Sequence, residues 1–317
     1  MSIFEKAFEK AGKGNAGEQE DQLFDPADDM VNIPESLGDD EVESVLAGET
    51  DSGAWGENEP QPAGPGRQVT LDLSKLQEAG LVDPLSNKTN RTTEEFRRIK
   101  RPLLMHVRGE GATVVDHANM IMVTSALPGE GKTFTSINLA MSIAMEMDKT
   151  VLLIDADVAK PDVTNRLGVE AEKGLIDVLI DDGLTLPDVL LRTNIPKLTL
   201  LPSGNRHIRS TELLASDRMR QLTLELSNRY PDRVIIIDSP PLLLTSEARV
   251  LAGLVGQVVL VTEESRTPQH AVKEAVGMLD QNEIVGIVLN KGTRGKEGEG
   301  YGGYGGYGGY GYYPYGR

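Results

Sequence analysis

The chain has 317 residues, no cysteine and a formal net charge of −17. The absence of cysteine excludes disulfide scaffolds, thiolate metal sites and cysteine nucleophiles. A chain without a basic surplus also lacks the electrostatic footprint of a nucleic-acid-binding protein. No apolar run reaches the roughly 18 residues of a membrane-spanning helix, so we expect a cytoplasmic protein that meets the membrane through a partner.

The acidity is concentrated in the first 66 residues, which hold 17 Asp or Glu against 3 Lys or Arg. Large apolar residues are few there, which predicts a disordered leader. Within residues 1–12 a helical spacing connects Ile3, Phe4, Ala7, Phe8 and Ala11. Two interpretations stay open for this stretch, an amphipathic helix that docks on a partner and a frayed terminus.

Residues 67–104 are predicted to be a docking and oligomerisation segment. The segment begins with the alternating Val69, Leu71 and Leu73 and continues into a charged helix from Thr93 to about Leu104. Pro102 leaves the C-terminal boundary of this helix open, because proline disfavours helical conformation in the residue before it.

Residues 105–294 are predicted to form an α/β domain of the P-loop NTPase class. Six short apolar runs read as buried strands, at 120–125, 150–155, 198–202, 233–238, 257–262 and 284–290, with helical patterns between most of them, as at 133–147. This alternation predicts a mainly parallel sheet with helices on both faces. Residues 295–317 are a flexible Gly/Tyr tail by composition.

The strongest motif is Ala126-Leu127-Pro128-Gly129-Glu130-Gly131-Lys132-Thr133, placed after a predicted strand and before a predicted helix. It matches the P-loop pattern except that Ala126 replaces the first glycine. Such a loop points backbone N–H groups at phosphate and adds the positive end of a helix. We therefore predict nucleotide contacts from the residues Gly129, Glu130, Gly131, Lys132, Thr133 and Phe134, with the Thr133 hydroxyl on Mg²⁺.

Carboxylates follow two of the predicted strands. Asp155 and Asp157 come after Val151–Ile154, and Asp238 comes after Val234–Ile237. The carboxyl ends of parallel strands meet at one edge of the sheet, where ligands bind. Carboxylates at that edge can hold Mg²⁺ and can accept a proton from an attacking hydroxyl. The alternative for each is an Asp that caps the next turn.

The tail holds seven of the eight tyrosines of the chain, Tyr301, Tyr304, Tyr307, Tyr310, Tyr312, Tyr313 and Tyr315. Glycine spacing would let each phenol enter a cleft in turn, and each phosphorylation would add about −1.5 to −2 charges. Since the tail tyrosines start only about ten residues after the last predicted strand, we expect phosphorylation in trans. The alternative is a Gly/Tyr tract that self-associates.

Together, these motifs resemble a bacterial tyrosine kinase of the exopolysaccharide-synthesis type over about 93–317, and 67–104 resembles the region before the kinase in exosortase-associated tyrosine autokinases. The resemblance implies a MinD/ParA-like fold and a non-specific protein-tyrosine kinase that uses ATP and Mg²⁺. It also implies the following roles: Lys132, Asp155 and Asp157 are catalytic, Asp155 activates the phenol, and Thr133, Asp157 and Asp238 hold the metal. Ala159 departs from the family, which commonly has a basic residue before Lys160-Pro161.

The resemblance implies partners as well. A subunit-contact helix of the family carries Glu-x-x-Arg-x-x-Arg, and two registers fit here: Glu95, Arg98 and Arg101, or Glu94, Arg97 and Lys100. Further implied partners are a membrane polysaccharide co-polymerase as activator, which places the kinase at the inner membrane, and a tyrosine phosphatase. Asn290 stands where related ATPases bind adenine, with an ordinary turn residue as the alternative.

Two other functions share the predicted nucleotide site. One is a MinD/ParA-like ATPase switch without kinase activity. Those proteins usually carry a second lysine early in the P-loop, and the residues here are Ser125-Ala126-Leu127, which argues against this function. The other is an ATP-gated interaction module whose tail binds a partner unmodified. A tyrosine cluster at the terminus favours the kinase.

Overall fold

In the computed structural model, the described residues are 67–86, 90–111, 114–230, 232–279, 282 and 284–292. The predicted leader 1–66, with its possible helix at 1–12, lies outside the described residues. The tail tyrosines lie outside them too.

The described residues form one sheet of eight strands. The strands are β1 Arg67–Val69, β2 Met120–Ser125, β3 Thr150–Asp155, β4 Leu191–Thr193, β5 Leu198–Leu201, β6 Arg233–Asp238, β7 Gln257–Glu263 and β8 Ile284–Asn290. Their order across the sheet is β1-β4-β5-β3-β6-β2-β7-β8. Six neighbouring strands of this order run parallel to one another, namely β5, β3, β6, β2, β7 and β8. Strand β4 pairs antiparallel with β5, and β1 pairs parallel with β4.

The prediction of a mainly parallel α/β fold is confirmed, and all six predicted strands are present within a residue of their predicted ends. Strands β1 and β4 were not predicted. Each has three residues, too few to show a periodic pattern, and each pairs with a neighbouring strand, β4 with β5 and β1 with β4.

The helices are α1 Leu73–Glu78, α2 Arg91–Val107, α3 Lys132–Ala144, α4 Val163–Leu167, α5 Leu175–Ile180, α6 Leu186–Val189, α7 Ser210–Leu214, α8 Asp217–Arg229, α9 Ser246–Ala252 and α10 Gln269–Gly277. They cover both faces of the sheet, because neighbouring residues of each strand point to opposite sides. Met122 and Leu152 pack with α5 to α10, whereas Val123 and Leu153 pack with α1 to α4.

Helix α2 is longer than predicted. It begins where the Asn90 side chain accepts a hydrogen bond of 2.8 Å from Thr93 N, and it continues through Pro102 to Val107. Proline costs this helix one backbone hydrogen bond, but the buried Leu103 and Leu104 hold the turn against α3. The end predicted near Leu104 is therefore corrected to Val107.

Residues 67–107 pack on the same sheet as the P-loop. Leu71, Leu76 and Phe96 are buried in one cluster with the apolar side chains of α3. The boundary placed between 104 and 105 thus falls inside α2, while the docking role of 67–104 stays a prediction. Among the helices described, none combines the length and apolar character needed to cross a membrane.

Candidate active site

The P-loop connects β2 to α3 and is built on two left-handed glycines. Gly129 has φ 84° and Gly131, the N-cap of α3, has φ 100°. A Cβ added to Gly131 would lie 2.0 Å from Asn290 Nδ2. Glycine is needed there for both reasons, since other residues adopt this conformation only under strain. Helix α3 begins at Lys132, directly after this turn, and the unpaired N–H groups of its first turn point toward the loop.

Lys132 pairs with the carboxylate of Asp157. The Lys132 Nζ lies 2.6 Å from Asp157 Oδ2, and the two side chains are only 14% and 4% exposed. One end of this pair comes from the P-loop and the other from the loop after β3. The pair therefore joins the predicted phosphate site to the predicted acidic site.

Asp155 and Asp238 end the neighbouring strands β3 and β6, directly opposite each other in the ladder. Both side chains are fully buried. The Asp155 carboxylate accepts hydrogen bonds from Val163 N at 3.1 Å and Asp157 N at 3.3 Å. Burial, reinforced by the negative charge of Asp238, raises the pKa of Asp155 to about 7. Near neutral pH, this carboxyl group can hold or release a proton.

Asp238 has one satisfied and one orphaned oxygen. Its Oδ1 accepts a hydrogen bond of 2.9 Å from Ser136 Oγ, whereas the buried Oδ2 has no hydrogen-bond partner among the described residues. Burial raises the pKa of Asp238 to about 6, against the opposing positive charge of Lys132. A buried, unpaired carboxylate oxygen of this kind calls for a cation or a proton.

Ser136 was not predicted from the sequence. It lies one helical turn after Lys132, so its small polar side chain faces the same strand end. That spacing was the available signal. Thr133 is also buried, at the first turn of α3.

The side chain of Glu130 turns away from the acidic strand ends. Its Oε2 accepts a hydrogen bond of 2.8 Å from Leu127 N, and its Oε1 accepts the hydroxyl proton of Thr267. Thr267, in the loop after β7, is a second residue that the sequence did not single out. Phe134 packs edge-on against Phe96 of α2 with 6.3 Å between ring centroids, and its contact with nucleotide stays a prediction.

Asn290 and Lys291 tie the end of β8 to the P-loop. The Asn290 amide donates to Glu130 O at 2.9 Å, and Lys291 Nζ donates to Gly129 O at 2.7 Å. The predicted contact of Asn290 with adenine stays a prediction. In this structure, its amide nitrogen is engaged by the loop itself.

Helix α2 distinguishes the two registers left open by the sequence. Lys100 is buried, with Nζ 2.6 Å from both Ser142 O and Glu146 Oε1. The residues Glu95, Arg98 and Arg101 are exposed. All three charged side chains of that register are exposed, whereas the register of Glu94, Arg97 and Lys100 includes the buried Lys100. The subunit-contact role of this helix stays a prediction.

A parallel sheet, a glycine-built loop at a helix N-terminus and carboxylates at the adjoining strand ends define a P-loop protein of the phosphate-transferring class. Residues 118–271 match the family described as an AAA domain. The tyrosine-protein kinase YwqD of Bacillus subtilis is 32% identical over 200 residues, which cover 62% of this chain and 80% of that protein. The tyrosine-protein kinase CpsD of Streptococcus agalactiae is 31% identical over 214 residues, covering 67% and 88%.

Solved structures agree with these relatives. The kinase domain of VpsO superposes with a TM-score of 0.54 at 35% identity, covering 64% of this chain and 95% of that domain. The kinase domain of the Escherichia coli tyrosine kinase ETK gives a TM-score of 0.51 at 27% identity, covering 70% and 96%. The chain spans only 23% of a longer relative, the putative tyrosine-protein kinase EpsB of Ralstonia nicotianae. This chain belongs to the bacterial tyrosine-protein kinase family.

Proposed function

We propose that the chain transfers the γ-phosphate of ATP to protein tyrosines, those of its own tail first, and thereby regulates exopolysaccharide synthesis or export. The observation that carries this proposal is the meeting of Lys132, Asp157 and the buried pair Asp155 and Asp238 at one edge of the sheet. The relatives named as tyrosine-protein kinases support the choice of acceptor. The acceptor tyrosines would be Tyr301, Tyr304, Tyr307, Tyr310, Tyr312, Tyr313 and Tyr315.

ATP would be held through its phosphates. The N–H groups at the start of α3 and the loop from Gly129 to Gly131 supply donors, and the helix end supplies positive potential. Lys132 now faces Asp157, and it would exchange part of that contact for the β- and γ-phosphates. Asn290, beside Gly131, is our candidate for the adenine contact.

Mg²⁺ fits the acidic edge. The Asp238 Oδ2 has no hydrogen-bond partner among the described residues, and burial raises the pKa of both Asp155 and Asp238. A bound cation would offset the cost of their negative charges. Thr133, Asp157 and Asp238 would hold the ion, which neutralises phosphate charge when bound. The described residues contain no preformed cluster of three or more acidic or histidine ligands, as expected for an ion that takes one or two carboxylates besides phosphate and water.

In the transfer step, a tail phenol oxygen forms a bond to the γ-phosphorus while the bond from that phosphorus to the β–γ bridging oxygen breaks, and ADP leaves. Asp155 takes the phenolic proton. A pKa of about 7 suits this task, because a base works best near the ambient pH. Since Asp155 is covered by the loop 156–163, an incoming phenol displaces part of that cover.

The acceptor tail would come from a neighbouring subunit. The exposed Glu95, Arg98 and Arg101 on α2 are our candidate subunit contacts, and a ring is the expected assembly. A membrane polysaccharide co-polymerase would activate the kinase and hold it at the inner face of the membrane. Phosphorylated tails would repel one another and loosen the ring, and a tyrosine phosphatase would reset it.

The test is the intact mass of the full chain after incubation with ATP and Mg²⁺. We expect added masses of one phosphate each, which disappear in a chain lacking 301–317 and in Asp155→Asn. ATP hydrolysis without added mass would instead indicate a MinD/ParA-like switch. Nucleotide binding with neither hydrolysis nor added mass would indicate an ATP-gated interaction module.

A further inference from the structure

The P-loop, which is proposed to bind an anionic ligand, carries a buried carboxylate of its own. Glu130 is 3% exposed and stands between Gly129 and Gly131. A carboxylate facing the phosphates would repel them. Here the Glu130 carboxylate instead accepts hydrogen bonds from Leu127 N and from the hydroxyl of Thr267.

Thr267 is fixed in its turn by the end of β7. Its Oγ1 accepts a hydrogen bond of 2.9 Å from Glu263 N while donating its own proton to Glu130. Its hydroxyl orientation is thereby determined, since the single proton has one acceptor. Ser265 at φ 60° and Lys291 at φ 57° have left-handed backbone although neither is glycine. They lie just after β7 and β8, the strands whose ends contact the P-loop. Strain of this kind persists where the surroundings impose a geometry.

We infer that Thr267, which lies outside the P-loop and the two acidic strand ends, is a positioning residue that sets the shape of the P-loop through the Glu130 carboxylate. The contact pulls Glu130 away from the phosphate position. It also keeps the Leu127 N–H bonded to the carboxylate. The N–H groups that remain for phosphate are then those nearer α3. This inference rests on the proposed nucleotide site and not on the identity of the phosphate acceptor.

Without the Thr267 hydroxyl, the Glu130 carboxylate keeps one neutral donor and is free to swing toward the phosphates. Hydrogen bonds to charged groups contribute more than neutral ones. We therefore expect Thr267→Val to weaken the binding of ADP and ATP about tenfold. The Thr267→Ser variant retains the hydroxyl and should bind within about twofold of the original chain. In both variants, the turnover at saturating ATP should change less than the KM for ATP.

The experiment measures ADP and ATP affinity of the full chain by calorimetry, with Mg²⁺ present. The matched control is Thr223→Val, which removes a buried hydroxyl bonded to Met219 O in α8, in a different helix from the P-loop and its contacts. Thermal unfolding of each variant checks folding. In a second pair, Glu130→Ala removes the carboxylate that Thr267 restrains, so it should weaken binding less than Thr267→Val does. In the Glu130→Ala chain, adding Thr267→Val should cause little further loss of affinity.

The outcomes separate the two proposals. If Thr267→Val binds nucleotide as tightly as the original chain, or if Thr267→Ser binds as weakly as Thr267→Val, the inference is overturned. Additive losses in the double variant would overturn it too. Because the readout is affinity, a chain that binds ADP but modifies no tyrosine would contradict the proposed function and leave this inference standing.

Discussion

Lys132 Nζ lies 2.6 Å from Asp157 Oδ2, with both side chains largely buried. This ion pair joins the P-loop to the end of β3, so the phosphate site and the acidic site are one unit. One buried lysine among three carboxylates leaves the site short of positive charge, so we expect the triphosphate to bind together with Mg²⁺.

Replacing Lys132 by methionine removes the cation and leaves Asp157 unpaired. We expect Lys132→Met to lower phosphate transfer at least about a hundredfold, because charge stabilisation in such a site contributes several kcal/mol, roughly 3 or more. Incorporation of labelled phosphate measures this. A variant that retained a tenth of the original rate would contradict the role given to Lys132.

Phosphorylation in trans can be tested by mixing two defective chains. One carries Lys132→Met and an intact tail, and the other is active but lacks 301–317. We expect the tail of the Lys132→Met chain to gain phosphate, as seen by the mass of each chain. If that tail stays bare while the intact active chain modifies itself, the transfer is intramolecular.

The stability of the nucleotide-free protein should fall as pH rises from about 4 to about 7. The pKa of Asp155 is raised to about 7 and that of Asp238 to about 6, against an ordinary value of 3.8. In this window, the folded state holds protons that the unfolded chain has released, so rising pH favours unfolding. Burial is the main cause of both pKa shifts; the charge of Asp238 adds to the shift of Asp155, and the charge of Lys132 opposes the shift of Asp238. We expect Asp155 and Asp238 together to lower the free energy of unfolding by roughly 4 kcal/mol between pH 5 and pH 8.

Urea unfolding at several pH values measures this slope. In Asp155→Asn, the slope between about pH 5 and pH 8 should flatten. Addition of ADP with Mg²⁺ should flatten it as well, since a cation at the carboxylates removes the advantage of the protonated form. An unchanged slope in Asp155→Asn would show that another group titrates.

The P-loop glycines should differ in their tolerance of a side chain. Gly131→Ala meets both a left-handed backbone and Asn290 Nδ2, whereas Gly129→Ala meets the same kind of backbone but no atom within 4 Å. We expect Gly131→Ala to lower the free energy of unfolding more than Gly129→Ala by about 1–3 kcal/mol. Adding Asn290→Ala should narrow the difference. Equal losses at the two glycines would mean that Asn290 moves aside freely.

Helix α2 separates a folding residue from contact residues. Lys100→Ala leaves the half-buried Glu146 without its cation and should lower the free energy of unfolding by about 2–3 kcal/mol. Arg98→Ala and Arg101→Ala are exposed changes, which should stay within about 0.5 kcal/mol while reducing the oligomer in sedimentation. An oligomer that survives both arginine changes would place the subunit contact elsewhere.

The sequence alone predicts the architecture, the P-loop and the two acidic strand ends, because these depend on local order. Strands such as Val234–Ile237 are apolar runs, and the carboxyl ends of parallel strands necessarily share an edge. The consecutive residues Gly131, Lys132 and Thr133 indicate by themselves a loop that is followed by the start of a helix. The strands Arg67–Val69 and Leu191–Thr193 escaped prediction because three residues take extended form only against a partner strand.

What only the tertiary structure decides is where each polar side chain turns. Glu130 reads in sequence as part of a phosphate cradle, and the fold directs its carboxylate to Thr267, across 137 positions of the chain. Lys100 reads as an exposed helix charge, and the fold buries it against Ser142 and Glu146. Sequence periodicity determines which backbone forms, whereas the partner of a buried charge depends on distant strands brought together by packing, since burial is costly unless such a partner is present.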